Sequence, residues 1–365
     1  MEPERVLTVL IVNAGSSSLK LRLLGPDDRV LADREVERWD GDPDHAAVVE
    51  FIGSLDDVGA AGHRVVHGGS RFRAATPIDD HVVAAIEELT PLAPLHQPRA
   101  LAGIRATTKL LPGVPAVACF DTAFHATLPA AAFTYALPAE WNERLGLRRY
   151  GFHGLSHAWV ARRAPDLLAR SQQGLRLVSA HLGAGASLCA IQDGRSVATT
   201  MGFTPLEGLV MATRSGDVDP GLLLWLQQHG GISAAELGDA LEGRSGLAGL
   251  SGTSGDMRDV LAAVDGRDEA ATLAYDVWLH RLRASVAAMA AAMGGVDALV
   301  FTGGIGEHAW RARADACAGL GFLGLLVDEA ANAATTGDGL IGDSVAVVTP
   351  REDRQMADEV RAVLS

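Results

Sequence analysis

Leu7-Thr8-Val9-Leu10-Ile11-Val12 runs directly into Asn13-Ala14-Gly15-Ser16-Ser17-Ser18-Leu19-Lys20, and Leu175-Arg176-Leu177-Val178-Ser179-Ala180 runs into His181-Leu182-Gly183-Ala184-Gly185-Ala186-Ser187-Leu188. Each stretch is an apolar strand-length run, a turn of small residues and a second apolar run. Each continues through a polar turn, Asp27-Asp28-Arg29 or Asp193-Gly194-Arg195, into a further short strand. One supersecondary unit occurring once in each half predicts a duplicated chain. Small residues at such turns let backbone N–H groups approach an anion, and neighbouring hydroxyls add donors, so a facing pair would hold a polyphosphate from two sides. Glycine- and serine-containing hairpins also serve as plain connections. Neither turn is a Walker-type phosphate loop, because G-x-x-x-x-G-K-[ST] is absent, and no G-x-G-x-x-G opens a helix.

A chain of 365 residues, 48% hydrophobic and 21% charged, is long enough for two domains with proper cores. A formal net charge of −14, with no Lys/Arg block to offset it, argues against a nucleic-acid or anionic-membrane partner. Positive charge for an anionic substrate must therefore be placed locally. Cys119, Cys189 and Cys317 are scattered in apolar surroundings without C-x-x-C spacing, which points to a reducing, cytoplasmic location. The acidic start Met1-Glu2-Pro3-Glu4-Arg5 does not read as a signal peptide, and no run approaches the about 20 apolar residues that span a bilayer.

Outward from the two turns, residues 6–70 read as strands, including 29–37 and Gly62-His63-Arg64-Val65-Val66-His67-Gly68-Gly69. Residues 80–110 carry helical periodicity interrupted by prolines at 91–98. A compact apolar strand, 114–120, ends in Asp121-Thr122-Ala123-Phe124-His125, where α/β sheets usually place ligand chemistry. The second half repeats the alternation. A long helix is predicted over about 269–293, closed by Gly294-Gly295. A strand over 298–301 empties into Thr302-Gly303-Gly304-Ile305-Gly306-Glu307, and a strand over 345–348 precedes a terminal amphipathic helix. The repeat sets the domain boundary near residue 124: residues 1–124 with about 351–365 form the N-terminal domain, and 125–350 the C-terminal one.

Functional-group residues sit beside glycine at strand ends in Gly62 to Gly69, in Phe120 to His125, in Arg149-Tyr150-Gly151-Phe152-His153-Gly154-Leu155-Ser156-His157, and in Ala212-Thr213-Arg214-Ser215-Gly216-Asp217-Val218-Asp219-Pro220. His153 and His157 stand at i, i+4, a spacing compatible with zinc, but no glutamate adjoins His153 and Gly154 disfavours a regular helix there. With the two turns, these segments resemble the acetate kinase family, within the acetate and sugar kinase, heat-shock chaperone and actin superfamily. The resemblance covers nearly the whole chain and keeps the order of every motif.

The resemblance implies an α/β fold of two ribonuclease H-like (actin-like ATPase) domains with duplicated βββαβαβα topology and the active site in the interdomain cleft. It implies reversible phosphoryl transfer from ATP to acetate, giving acetyl phosphate and ADP, with Mg²⁺ (or Mn²⁺) as cofactor, usually in a homodimer. Arg64 and Arg214 match the arginines that bracket acetate and the migrating phosphoryl. His153 matches the histidine that, with Arg214, stabilises the transition state. Asp121 and Glu352 match the acids that organise the metal, and Asn13 the amide beside it. Val66, Leu95, Phe152 and Pro205 match the pocket for the acetate methyl. Lys20, His181, Gly183, Gly185, Asp256, Met257, Arg258, Gly304, Ile305 and Gly306 match nucleotide contacts. The chemistry agrees, since a carboxylate attacking a γ-phosphoryl brings two anions together and fork-shaped guanidinium groups neutralise both.

Several positions depart from the family's pattern. Ala184 replaces the asparagine of the second turn, removing a phosphate-contacting amide. His-Asn-Pro-Pro-Asn reads here His96-Gln97-Pro98-Arg99-Ala100; Ala212 replaces a glycine, His308 an asparagine, and the stretch before Arg64 is shortened. The charged set is intact, which favours a working kinase over a nucleotide-binding regulatory homologue. Propionate, butyrate and sugar kinases of the same fold stay open; a sugar would call for hydrogen-bonding groups in place of the apolar wall.

Overall fold

The computed structural model describes residues 7–15, 18–42 and 44–365. Ser16 and Ser17 of the first turn, and the acidic start, lie outside the described residues. Strands β1 (Val9–Ala14), β2 (Ser18–Leu24) and β3 (Val30–Glu37) form an antiparallel meander. β4 (Ala60–Val65) and β6 (Ala116–Phe120) run parallel to β1, and the short β5 (Thr76–Pro77) pairs antiparallel with β6, giving the order β3-β2-β1-β4-β6-β5. The second sheet contains β7 (Arg176–Leu182), β8 (Ala186–Gln192), β9 (Arg195–Thr199), β10 (Ala298–Thr302), β11 (Gly339–Gly342) and β12 (Val345–Val347). Its order is β11-β12-β10-β7-β8-β9, the same topology, with β7 in the place of β1 and β10 and β12 in those of β4 and β6. The duplicated α/β architecture is therefore present strand for strand.

Why these residues make these sheets follows from burial. In the second sheet, β10 and β12 are buried at every position, as parallel strands covered on both faces must be. β1 alternates its side chains between two cores. Leu10 and Val12 pack with Leu19, Leu21, Trp39 and Phe51 on one face; Val9 and Ile11 pack with Val117, Cys119, Leu155, Met356 and Val360 on the other. The outer β3 is mostly exposed and half of its residues are charged, as suits an edge.

Three details differ from the sequence expectation. Residues 46–53, within the stretch read as strands, form a helix that buries Val48, Phe51 and Ile52. An eight-residue apolar run is too short for its period to decide between the two forms. Residues 152–159, beyond the boundary drawn near 124, pack with the first sheet: one compact unit holds the described residues up to Ala126 with Phe152–Trp159 and Arg351–Ser365, the other Thr127–Gly151 and Val160–Pro350. The reason is Leu155, which sits in the core between β1, β6 and the last helix, Glu352–Leu364. Gly154, lastly, begins the helix Gly154–Leu167 rather than opposing it. His153 stays outside that helix because its φ is +56°, and among the described residues no cluster of His, Cys, Asp or Glu is built to hold a metal by itself.

Other expectations match closely. The long helix is Glu269–Ala292, capped by the Asp268 carboxylate accepting from the Ala271 N–H, and it ends before Gly294 at φ +67°. All three cysteines are buried, and none of them is in a disulfide. No helix among the described residues is long and apolar enough to cross a membrane.

Two buried histidines make the fold acid-sensitive. Burial lowers His63 to about 3 and His125 to about 4. Above pH 6.5 both are neutral in either state, so they contribute nothing to the pH dependence. Below it the unfolded chain binds protons that the folded chain refuses, and each group then subtracts up to about 1.4 kcal/mol per pH unit. Melting temperature followed by circular dichroism should fall steadily from pH 6.5 to 4. A melting temperature flat across that window would contradict the burial of both rings.

Candidate functional site

In the first unit, β4 and β6 are parallel neighbours with Arg64 in register with Cys119, so Asp121, two residues on, projects to the same face just past the strand end. The Arg64 guanidinium donates from Nε to both Asp121 oxygens at 3.1 Å and from Nη2 to Oδ2 at 2.6 Å; its Nη1 donates to Asn13 Oδ1 at 3.2 Å. The side chains are 18% and 2% exposed. Burial works against the charge on Arg64, but Asp121 and then Glu352 outweigh it and hold the guanidinium above its usual pKa. Burial also pushes the Asp121 carboxyl up; Arg64 pulls it back, Glu352 adds to the rise, and His96 opposes it. Asn13, Arg64, Asp121 and Glu352 are thus one electrostatic cluster, with Glu352 delivered by the first turn of the last helix.

His153 enters the first unit next to Asp121 through its neighbour. The Gly154 N–H donates to the Asp121 carbonyl at 2.8 Å, and a Cβ at Gly154 would come within 2.1 Å of that oxygen. Only glycine permits the approach. Phe152, 2% exposed, is held by His125, whose Nε2 donates to its carbonyl at 3.0 Å, and by the edge-on ring of His67 at 5.5 Å.

Of the residues matched to the acetate pocket, Val66 and Phe152 are buried in this unit, whereas Leu95 is 63% exposed on the proline-rich loop. The altered loop is well packed. Gln97 is fully buried; its amide donates to the His67 carbonyl at 2.9 Å and its Oε1 accepts from the His67 N–H at 3.4 Å. It locks the strand extension that follows Arg64. Arg99, in the place of a family proline, donates to the Gly15 carbonyl at 3.4 Å, a contact that the spacing of residues does not announce. Lys20, opposite Asn13 on β2, is exposed and pairs with Glu35 at 3.5 Å.

In the second unit, the turn after β7 is closed by Gly183 N–H donating to the Gly185 carbonyl at 3.0 Å. A Cβ on Gly183 would lie 4.0 Å from the Gly304 nitrogen and 3.9 Å from His181 Nε2, so the turn, that ring and the start of the helix Gly303–His308 draw close. Gly303, at φ +78°, allows this by packing against the Leu182 backbone. A cavity of about 850 Å³ opens here, lined by Gly183, Ala184 and Ala212 at one part and by Asp256, Met257, Arg258, Gly304 and Ile305 at another. Gly306 is buried, and neither it nor Gly185 nor Lys20 belongs to the lining. Asp256 caps the helix Met257–Asp265 and is bound by Arg258, which holds its carboxyl at about 2.

Arg214 sits on a loop whose shape three glycines enforce. Gly216 and Gly246, at φ +67° and +63°, would bring a Cβ within 2.5 Å of loop carbonyls, as would Gly255 at φ +80°. The guanidinium donates from Nη1 to the Pro205 carbonyl at 3.1 Å and touches Met211 Sδ at 3.7 Å. It forms no ion pair among the described residues. Burial lowers its pKa, and Glu242 only partly offsets that.

Comparison with known proteins extends the picture. The Acetokinase family model matches residues 44–352. An acetate kinase from Thermotoga petrophila is 42% identical over 398 aligned positions, covering 98% of this chain and 99% of that protein; the alignment exceeds the chain's length, so the relative carries residues with no counterpart here. The crystal structure of Porphyromonas gingivalis acetate kinase matches with a TM-score of 0.91 and 40% identity, covering 98% of this chain and all of that one. A propionate kinase structure from Francisella tularensis matches with a TM-score of 0.90 and 34% identity over the same shares.

Proposed function

Because the chain belongs to the acetokinase family, we infer that it is a phosphotransferase that moves the γ-phosphoryl group of ATP to acetate, giving acetyl phosphate and ADP. The observation that carries this reading is the Arg64–Asp121 pair with Asn13 and Glu352 at the strand ends of the first sheet, next to the enclosed Val66 and Phe152. Arg64 would neutralise the acetate carboxylate, and Val66 and Phe152 would face its methyl. Arg214, which forms no ion pair among the described residues, and His153, held at the Asp121 backbone, would donate to the equatorial oxygens of the phosphoryl as charge spreads over them. The glycine turn at 183–185 and Gly304 offer backbone donors to the phosphate chain, Ala184 adding a methyl where an amide is usual.

The family works with a divalent metal, and we propose Mg²⁺. The residues present suit it: a buried carboxylate, a second acid raising its pKa and an amide oxygen favour a dication that keeps several of its own waters. When bound, the metal would screen the phosphate charge. Asp121, Glu352 and Asn13 would hold it through those waters.

The test incubates protein with Mg²⁺, ATP and an acid, then traps the acyl phosphate as its hydroxamate. Acetate should give the strongest signal and propionate a weaker one, since each methylene against a cramped wall costs about 1 to 3 kcal/mol of discrimination. No hydroxamate with any acid would refute the reading in favour of a regulatory homologue. A preference for propionate, as the likeness to a propionate kinase structure allows, would transfer it to that substrate.

We propose further that the chain acts as a homodimer. The helix Pro220–His229 buries none of its residues and leaves Leu222, Leu224 and Trp225 exposed at 46%, 57% and 54%. Such a patch is costly in water unless covered. Light scattering that returns a monomer mass at micromolar concentration would exclude this.

A further inference from the structure

Trp310 is 52% exposed, yet its backbone is anchored to a buried side chain. The Trp310 carbonyl accepts from Asn332 Nδ2 at 2.8 Å, and Asn332 is fully buried. Asn332 in turn is gripped by Arg313, 1% exposed, through Nε to Oδ1 at 2.7 Å and Nη2 to its carbonyl at 2.8 Å. The same guanidinium binds the Gly306 and Glu307 carbonyls at 2.9 and 2.7 Å. A single buried cation therefore fixes both the helix that carries Gly304 and the residue that presents the indole. The ring sits on a rigid frame and lines the 850 Å³ cavity with Met257, Leu261 and Ile305.

Most charged and hydroxyl groups of that cavity are engaged by partners within or beside it, while the His308 ring, 72% exposed, lies 3.6 Å from Glu307. Asp256 binds Arg258, Arg311 binds Asp265 at 2.6 Å, and Ser254 donates to Asp259. Beyond the His308 ring, what the lining leaves to offer away from the glycine turn is apolar and aromatic surface. A flat heteroaromatic ring answers that surface; a phosphate does not. Tryptophan gives the widest ring face for base stacking, which is tolerant of edge chemistry.

Resting on the nucleotide reading given above, we infer that Trp310 is the platform on which the nucleobase of the donor stacks, so that the cavity selects nucleotides by ring area rather than by hydrogen bonds to the base edge. Nucleoside diphosphates with a purine should bind better than those with a pyrimidine, and inorganic pyrophosphate should be indifferent to the residue. Trp310 is not within the catalytic set and its ring is half in solvent, so its replacement leaves the core intact.

Calorimetric titration reads this without turnover, using ADP, CDP and pyrophosphate against the full chain and its Trp310→Ala, Trp310→Leu and Trp310→Phe variants. The expected result is a roughly ten- to hundredfold rise in the ADP dissociation constant for Ala and Leu. Phe should retain most of the affinity, the preference for ADP over CDP should shrink in Ala, and pyrophosphate binding should hold. An ADP constant within twofold of the parent in both Ala and Leu overturns the inference, as does equal weakening of ADP and pyrophosphate. A parent chain that binds no ADP at all would instead overturn the nucleotide reading itself.

Discussion

Replacing Arg214 by alanine should lower kcat/KM for acetate at least about a hundredfold while leaving the melting temperature unchanged or higher. The two halves of that expectation have one cause. Arg214 is partly buried with a carbonyl and a thioether as its contacts, and its pKa is lowered by burial, so in the resting fold its charge is a cost and not a bond. The cost is returned when an anion arrives. Losing a positioned donor to developing charge typically costs about 10²–10³ in rate. Lysine should restore little, because the fork that binds two phosphoryl oxygens is gone. Steady-state kinetics with a thermal melt decide it: a variant within tenfold of the parent removes Arg214 from the reaction, and one that melts far lower makes it a structural residue.

Arg64→Ala should behave differently, losing activity and stability together. Its removal leaves Asp121, 2% exposed, as an uncompensated charge beside Glu352, and a broken buried pair costs about 3 to 5 kcal/mol. Urea denaturation should show that loss. The double variant Arg64→Ala/Asp121→Ala should regain part of the stability and none of the turnover, because the stranded charge is gone but so is the site. If the single and double variants are equally stable, the pair is not the electrostatic unit described here. If Arg64→Ala retains acetate turnover near the parent level, Arg64 does not bind substrate.

Much of the candidate site was legible because it lies at the ends of apolar strands, and a strand end followed by glycine and a functional group is a local pattern. Asp121 after β6, Arg64 on β4 and the turn after β7 were all visible this way. Gln97 and Trp310 were not. Gln97 acts through the backbone of His67, thirty residues away, and nothing in a glutamine's neighbours reveals that its amide is buried. Trp310 reads as one more aromatic residue opening a helix until the cavity is seen. Leu95, matched to the acetate pocket by the resemblance, is 63% exposed on the proline-rich loop, a placement that its apolar side chain does not announce.

By itself the sequence determined that the chain is duplicated, where most of its strands lie and which charged groups it keeps, because alternation, apolar runs and glycine turns are properties of a few adjacent residues. Tertiary structure decided ownership and pairing. It assigned Phe152–Trp159 to the first unit through Leu155 and Gly154, packed the last helix, Glu352–Leu364, against the first sheet, and joined Arg64 to Asp121 across 57 residues. Those outcomes depend on which strands become neighbours, and strand order is set by burial shared among distant segments.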